Sequence, residues 1–159
     1  MTHQIVLRDA KSADVSIITA AIRAAFEEYR GKLNPPSGSH DEREEDIGAK
    51  LRKGGGLLAY VEQQLAGVVL YYPHSTDSSL YLGRLGVLPG YRRFGVGKAL
   101  VQAVETRARQ LGYAEVTLGV RLQLAGNRQF FERLGYTVSS YGSHEGFTEP
   151  TFTLMSKAL

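Results

Sequence analysis

Residues 82–100 of this 159-residue chain read LGRLGVLPGYRRFGVGKAL, and this stretch decides the fold. It predicts a strand that ends near Leu88, then a glycine-bearing loop, then a helix that begins at about Gly95. A helix that begins this way points unpaired backbone N–H groups at one spot, where the helix dipole adds partial positive charge. Because Gly95 and Gly97 have no side chain to block close approach, the pattern favours a bound phosphate.

Alternating helices and strands surround this unit. Apolar residues at helical spacing predict a helix from Val15 that stops at Gly31, and a second helix ends at a connector formed by the glycines 54–56. The pattern predicts strands over 5–7, 57–62, 65–72, 80–88, 115–120, 136–138 and 151–155, and further helices over 95–111 and 125–134. No linker divides the chain. We therefore predict one α/β domain, residues 1–159, whose mixed sheet is antiparallel early and parallel across its central strand–helix–strand unit.

Composition excludes several classes of site. The chain has no cysteine, so a disulfide framework, a cysteine zinc site and a cysteine nucleophile are ruled out. The net charge of +3 is small, and Arg92 and Arg93 lack the aromatic platforms and broad basic stripe of a nucleic-acid site. Neither a signal peptide nor an apolar run of about 18 residues is evident. We expect a soluble, cytoplasmic protein with no nucleic-acid or membrane partner.

Two other phosphate-binding patterns do not match the loop. A Walker loop requires serine or threonine after its Gly-Lys pair, whereas Gly97-Lys98 is followed by Ala99. The dinucleotide fingerprint requires a third glycine where this chain has Leu100. A plain capped helix with solvated basic residues would contain the same residues, so the pattern alone leaves phosphate binding open.

Two segments resemble motifs A and B of the GCN5-related N-acetyltransferase (GNAT) family. The first contains Arg92-x-x-Gly95-x-Gly97, and the second is the stretch 127–136, NRQFFERLGY. The predicted order of strands and helices also agrees with that family over nearly the whole chain. The resemblance implies a GNAT-type mixed central β-sheet of about six or seven strands. About four helices would flank it, and two parallel strands would splay apart at the cofactor site.

The resemblance implies acetyl-CoA as the acyl-donor substrate, and no metal. It would lie between the strands 80–88 and 115–120, with its pyrophosphate at the start of the central helix. The backbone N–H near Leu85 is the implied donor to the oxyanion. The cofactor contacts implied by resemblance are Leu85, Gly86, Val87, Arg92, Arg93, Phe94, Gly95, Val96, Gly97, Lys98, Ala99, Asn127 and Phe131.

The chain departs from the family where a proton must reach the departing thiolate. The tyrosine that usually supplies this proton corresponds to Phe131, and the usual asparagine of motif B corresponds to Leu124. Asn127 lies one helical turn before Phe131 and is expected to take over a contact with pantetheine. Either the thiolate leaves unassisted, or it takes a proton from water or from one of the phenols Tyr91, Tyr136 and Tyr141.

The acceptor amine also needs a base, because a primary amine is almost fully protonated at pH 7. Glu28 and Tyr29 at the end of the first helix are the catalytic candidates, since family members often place acceptor contacts there. Further candidates for the base are Glu27, Glu62, His74 and His144. The expected substrate contacts are Tyr29, Tyr72 and His144.

The predicted function is N-acetyl transfer from acetyl-CoA to a primary amine of a small molecule or a protein. The amine would attack the thioester directly in a ternary complex, and a homodimer is an open possibility. The alternative is a module that senses acyl-CoA without turnover, because Phe131 cannot donate a proton. The sequence does not name the acceptor.

Overall fold

The protein is described from a computed structural model that covers residues 4–74 and 78–159. These residues form four α-helices: α1 (Val15–Phe26), α2 (Glu44–Lys53), α3 (Val96–Gln110) and α4 (Ala125–Arg133). They also form seven strands: β1 (Ile5–Asp9), β2 (Gly55–Val61), β3 (Gln64–Pro73), β4 (Ser79–Val87), β5 (Glu115–Arg121), β6 (Thr137–Gly142) and β7 (Phe152–Ala158). A short 3-10 turn, Glu27–Tyr29, extends α1, and another, Gly38–Asp41, precedes α2.

All seven strands join one sheet in the order β1-β2-β3-β4-β5-β7-β6. Neighbouring strands are antiparallel except β4 and β5, which are parallel and connected through α3. The structure therefore confirms the predicted mixed α/β sheet, its strand number and its four helices within the described residues. A parallel neighbour requires a crossover, and α3 provides it.

Helices cover both faces of the sheet. On one face, Leu100 and Val104 of α3 pack with sheet residues such as Val69 and Leu118. On the opposite face, the cluster joins residues of α1, α2 and the first strands, namely Ile18, Ile22, Ile47, Leu58 and Leu70. Val69 and Leu70 are consecutive yet face opposite layers, because side chains alternate along a strand. Each fully buried aliphatic side chain contributes about 2 kcal/mol to folding.

Three local predictions were wrong. The first helix ends at Phe26 rather than continuing to Gly31, because the chain tightens into the 3-10 turn. Only Gly54 ends α2: the two glycines that follow it belong to β2, where an added Cβ on Gly55 would lie 2.4 Å from the Tyr71 hydroxyl. The helix predicted over 95–111 ends at Gln110, and Leu111 lies beyond its end and is 57% exposed.

None of the helices in 4–74 and 78–159 combines the length and the apolar character that a membrane span requires.

Candidate functional site

The parallel strands β4 and β5 separate in the middle of the sheet. Their pairing runs only from Ser79–Tyr81 opposite Glu115–Thr117, while β5 stays paired with β7 as far as Arg121. The ends of β4 and β5 therefore splay apart, as predicted. Backbone N–H and C=O groups that face the gap lack a strand partner across it and need other partners.

A cleft of about 800 Å³ opens at this splay, between α1, the start of α3 and α4. It brings together most of the residues that the sequence predicted for the site. The predicted residues that line it are Glu28, Tyr29, Tyr72, Leu85, Gly86, Val87, Arg92, Gly95, Gly97, Lys98, Asn127, Phe131 and His144. Arg93, Phe94, Val96 and Ala99 are not among its lining residues, and the side chain of Val96 is buried in the core.

A β-bulge interrupts β4 beside the cleft. Val68 pairs with Gly86 and Leu70 with Gly83, so Arg84 and Leu85 together oppose one residue of β3. Arg84 has φ of +52°, a left-handed conformation that costs a residue with a side chain about 1–2 kcal/mol. The bulge disturbs the ladder at Leu85, which is the residue predicted to offer a backbone donor.

The start of α3 keeps backbone donors near the cleft. Gly95 precedes the helix with φ of +80°, and nothing lies within 4 Å of where its Cβ would be. The N–H groups of Val96, Gly97 and Lys98 fall in the first turn, where a helix offers no internal acceptor. Ala99 was also predicted to contact the cofactor, but its N–H already donates to the Gly95 carbonyl at 3.0 Å.

The glycine at 97 has a packing reason as well as a binding one. A Cβ at Gly97 would lie 3.2 Å from the Phe130 ring and 3.7 Å from Val87. The missing side chain therefore lets α4 approach the first turn of α3. Phe130 also lines the cleft, and the sequence analysis did not single it out.

Arg92 braces the loop against α1. Its Nε donates to the Val87 carbonyl at 3.1 Å, its Nη2 to the Ala25 carbonyl at 3.0 Å, and its Nη1 to the Glu28 carboxylate. This arginine was predicted to contact the cofactor, but its guanidinium is already held by three protein groups. Glu28, a predicted catalytic residue, is thereby fixed in an ion pair.

Tyr29 reaches from the end of α1 toward α4 across the cleft. Burial and the neighbouring Glu28 carboxylate raise the pKa of Tyr29, against smaller opposing effects from the nearby side chains of Asn127 and Arg92. The phenol is therefore protonated at neutral pH. Tyr29 and Asn127 were predicted separately, and the tertiary structure makes them neighbours.

Phe131, which by resemblance replaces the motif B tyrosine, is 8% exposed and lies between Phe130 and Tyr136. None of the other phenols proposed to replace it lines the cleft. Tyr136 donates a hydrogen bond to Glu105 at 2.9 Å inside the core, Tyr91 packs against Phe94, and Tyr141 is 57% exposed. Tyr29 is the phenol that the fold brings to α4 instead.

The opposite end of the cleft has aromatic walls. The rings of Tyr72 and Tyr81 lie 5.5 Å apart, and His74 stacks on Tyr81 at 4.4 Å. Burial raises the pKa of Tyr72 to about 12. Tyr81 was missed because, in an apolar strand, its aromatic side chain reads as core.

His144 enters the cleft from the loop before β7. Its backbone N–H donates to Thr151 Oγ1 at 2.9 Å, and its Nδ1 contacts the same oxygen. Burial and the positive charge of Arg121 lower the pKa of His144, which is therefore neutral at pH 7. Of the other base candidates, His74 also lines the cleft. Glu27 and Glu62 do not: Glu27 pairs with Arg30, and Glu62 is in the turn after β2.

Two arginines that line the cleft were also missed by the sequence analysis. Arg84 is in the bulge of β4, and Arg121 ends β5. The only sequence signal was a charged residue in each strand, which usually indicates a solvated face. Within 4–74 and 78–159, no three His, Asp or Glu side chains cluster as a metal site requires.

Comparison with known proteins relates this chain to one protein family. The model of the acetyltransferase (GNAT) family matches residues 19–136. A protein of Bacillus subtilis (strain 168), provisionally named an acetyltransferase, is 39% identical over 59 residues, 37% of this chain and 38% of its own. A Danio rerio protein, provisionally named N-acetyltransferase 14, is 35% identical over 79 residues, 50% of this chain and 28% of its own. The matches thus span well under half the length of these relatives.

The fold has solved counterparts over its full length. The crystal structure of the PaiA N-acetyltransferase from Thermoplasma acidophilum, in complex with coenzyme A, aligns with a TM-score of 0.78. The alignment covers 98% of this chain and 99% of that one, at 19% sequence identity. At this identity the likeness concerns the fold alone.

Proposed function

Because the chain belongs to the acetyltransferase (GNAT) family, we propose that it transfers the acetyl group of acetyl-CoA to a primary amine by direct attack in a ternary complex. The acceptor is a small molecule or a protein. One observation carries the proposal: β4 and β5 separate beyond Tyr81 beside the start of α3, and both line one cleft. An unpaired strand edge and a helix start next to each other suit a ligand that has amides at one end and a diphosphate at the other.

The start of α3 is assigned to the pyrophosphate. The amides of Val96, Gly97 and Lys98 and the positive end of the helix dipole favour an anion there. The Lys98 side chain is exposed on the cleft and adds a full charge. The edge of β4 from Leu85 to Val87 is assigned to the pantetheine amides, because this edge has no partner in β5.

The bulge is assigned to the acyl carbonyl. Acetyl-CoA supplies an activated thioester, and the protein must stabilise the negative charge that develops on its oxygen. The N–H of Leu85 is the proposed donor, supported by the disturbed ladder at this residue. A donor of this kind lowers the activation free energy by about 3 kcal/mol.

Three proton transfers accompany the reaction: the ammonium loses one proton before attack, the nitrogen loses a second as the amide forms, and the thiolate gains one. A primary ammonium has a pKa near about 10.4, so the amine must lose a proton before the C–N bond forms. His144 is the proposed acceptor of this proton, directly or through water, because it is neutral and lines the cleft. If Nδ1–H donates to Thr151, Nε2 is left to accept.

The departing thiolate gains a proton when the C–S bond breaks, and the proton that the nitrogen loses as the amide forms restores the donor. Tyr29 is the proposed donor, in the place of the tyrosine that Phe131 replaces. Its support is that Tyr29 interacts with Asn127, one turn of α4 before Phe131, and that its raised pKa keeps the phenol protonated. Glu28 is assigned a positioning role, because Arg92 already holds its carboxylate.

The first test is calorimetric titration with coenzyme A. We expect wild-type protein to bind, and Lys98→Glu to weaken binding by more than about tenfold because it places a negative charge beside the diphosphate. The fold should survive, since an acidic residue suits the first turn of a helix. Arg52→Glu on α2 makes the same change of charge at an exposed site that does not line the cleft, and should bind normally. A wild-type protein without affinity for coenzyme A would refute the proposal.

A second candidate function, sensing of acyl-CoA without turnover, is favoured by Phe131 alone. Thiol release from acetyl-CoA against a panel of amines separates the two functions, because a sensor binds and releases nothing.

For the enzyme, we expect Tyr29→Phe to lower kcat about a hundredfold. Adding Phe131→Tyr to that variant should recover much of the loss, because it restores a phenol on α4. An unchanged kcat in Tyr29→Phe would remove this tyrosine from the mechanism.

A further inference from the structure

Arg84 and Arg121 approach the cleft from the two strands that splay apart. Arg84 reaches it from the bulge of β4, and its side chain is 29% exposed. Arg121 reaches it from the last position of β5 and is half-buried. The segment before α2 covers both arginines: an added Cβ on Gly38 would lie 3.3 Å from Arg84, and Arg121 donates to the carbonyls of Pro35 and Pro36 at 2.6 and 3.1 Å.

The charge of Arg84 is only partly balanced. Its Nε and Nη2 donate to the Glu42 carboxylate at 3.2 and 3.3 Å. Glu42 is buried and also pairs with Lys50 at 2.9 Å, so one carboxylate serves two cations. A guanidinium has five N–H donors, and the described contacts of Arg84 use two of them.

The positive charge of Arg121 is balanced even less than that of Arg84. Its described partners are the two carbonyl oxygens, which carry no formal charge. Burial, and then the positive charge of Arg84, lower the pKa of Arg121, although a guanidinium stays protonated at neutral pH. The fold thus holds two cations near each other, at a cost that a bound anion would offset.

Nearby acidic groups do not cancel this charge. Glu28 lines the cleft but pairs with Arg92, and Glu42 is shared as described. The other titratable groups at this end are the phenols of Tyr72 and Tyr81 and the imidazoles of His74 and His144. Because phenols are uncharged at neutral pH and imidazoles carry at most a positive charge, the acceptor end has a surplus of positive charge.

We infer that the acceptor is a small primary amine that also carries a carboxylate, and that Arg84 and Arg121 bind this carboxylate. The inference rests on the proposed function, since it identifies the substrate class of the same cleft. Guanidinium groups bind carboxylates through paired, charge-assisted hydrogen bonds. With the carboxylate held there, the amine extends toward the bulge of β4, and Tyr72 and Tyr81 flank the remaining part. Polyamines and aminoglycosides, which carry several positive charges and no anion, would be repelled.

The test compares matched ligands on the protein in the presence of coenzyme A. Each set contains an amino acid, its amide, and the amine left when its carboxylate is removed. We expect calorimetry to give at least about tenfold tighter binding for the carboxylate member. Arg121→Gln should abolish this preference while affinity for coenzyme A is retained, and Arg52→Gln on α2 is the control.

A preference for the amide or the plain amine, or no binding by any carboxylate member, would overturn the inference. Equal preference in wild type and Arg121→Gln would also overturn it. Arg121→Lys provides a second variant: it keeps the charge and loses the paired geometry, so the preference should fall to an intermediate value. Failure of the proposed function has a separate sign: the wild-type protein would not bind coenzyme A. In that case the same ligands are compared on the protein without coenzyme A, and their relative affinities still test the inference.

Discussion

Arg84 combines three roles that belong to one residue. It takes the left-handed conformation of the β4 bulge, it pairs with Glu42, and it lines the cleft. A left-handed arginine is costly, so the surrounding contacts must maintain it. The bulge that requires this conformation also places the guanidinium in the cleft and Leu85 beside the splay.

His144 yields a prediction of pH dependence. Its pKa is lowered in the folded protein, so below the ordinary value of 6.5 the unfolded chain binds this proton more readily than the folded one. Stability should therefore fall as the pH decreases below 6.5, and His144→Gln should remove this part of the loss. Urea unfolding at pH 8 and pH 5 measures the difference. A variant that loses as much stability as wild type over this range would contradict the lowered pKa.

At the scale of elements, the buried carboxylate of Glu105 connects α3 to β7. Glu105 accepts a hydrogen bond from the Tyr136 hydroxyl at 2.9 Å and forms an ion pair with Lys157 of β7 at 3.1 Å. Glu105 is 4% exposed and Tyr136 is 1% exposed. The helix whose start is proposed to bind the diphosphate is thus fixed against β7.

Removing this carboxylate should destabilise the fold without altering the chemistry of the site. Glu105→Ala leaves the buried hydroxyl of Tyr136 without its acceptor and should lower the free energy of unfolding by about 3 kcal/mol. The control is Glu132→Ala, which removes an exposed pair with Arg128 at 3.6 Å and should cost less than about 1 kcal/mol. Chemical denaturation checks both values. Losses of equal size would show that the buried contact is not special.

On the scale of the whole molecule, ligand binding and stability are linked. The cleft is bounded by α1, α3, α4 and both splayed strands, so a ligand that fills it contacts most of the sheet's central elements. A ligand present at a hundred times its Kd stabilises the folded state by about 2.7 kcal/mol. We expect coenzyme A to raise Tm by about 6–10 °C in wild type and much less in Lys98→Glu at the same concentration. An equal rise in Tm in both proteins would show that coenzyme A does not bind at the start of α3.

The local sequence was enough to predict the secondary-structure elements and the part of the candidate site at the start of α3. Hydrophobic periodicity and glycine positions predicted the four α-helices and seven strands of the described residues, because these signals act between neighbours along the chain. Their ends were less accurate: α1 is five residues shorter than predicted, and β6 ends four residues later. The stretch from Arg92 to Lys98 and the resemblance that it carries predicted the family. Its glycines are set by local backbone geometry, which a sequence states directly.

The proposed acceptor end of the cleft became visible only in the folded structure. The bulge at Arg84 depends on its register with β3, and Arg121 enters the same cleft because β4 and β5 stop pairing after three residue pairs. Tyr29 meets Asn127 only once α1 and α4 are packed on the sheet. These residues are far apart in sequence, and no local pattern encodes which charges remain unbalanced between them. Strand register and packing fix that balance, and both are properties of the folded chain.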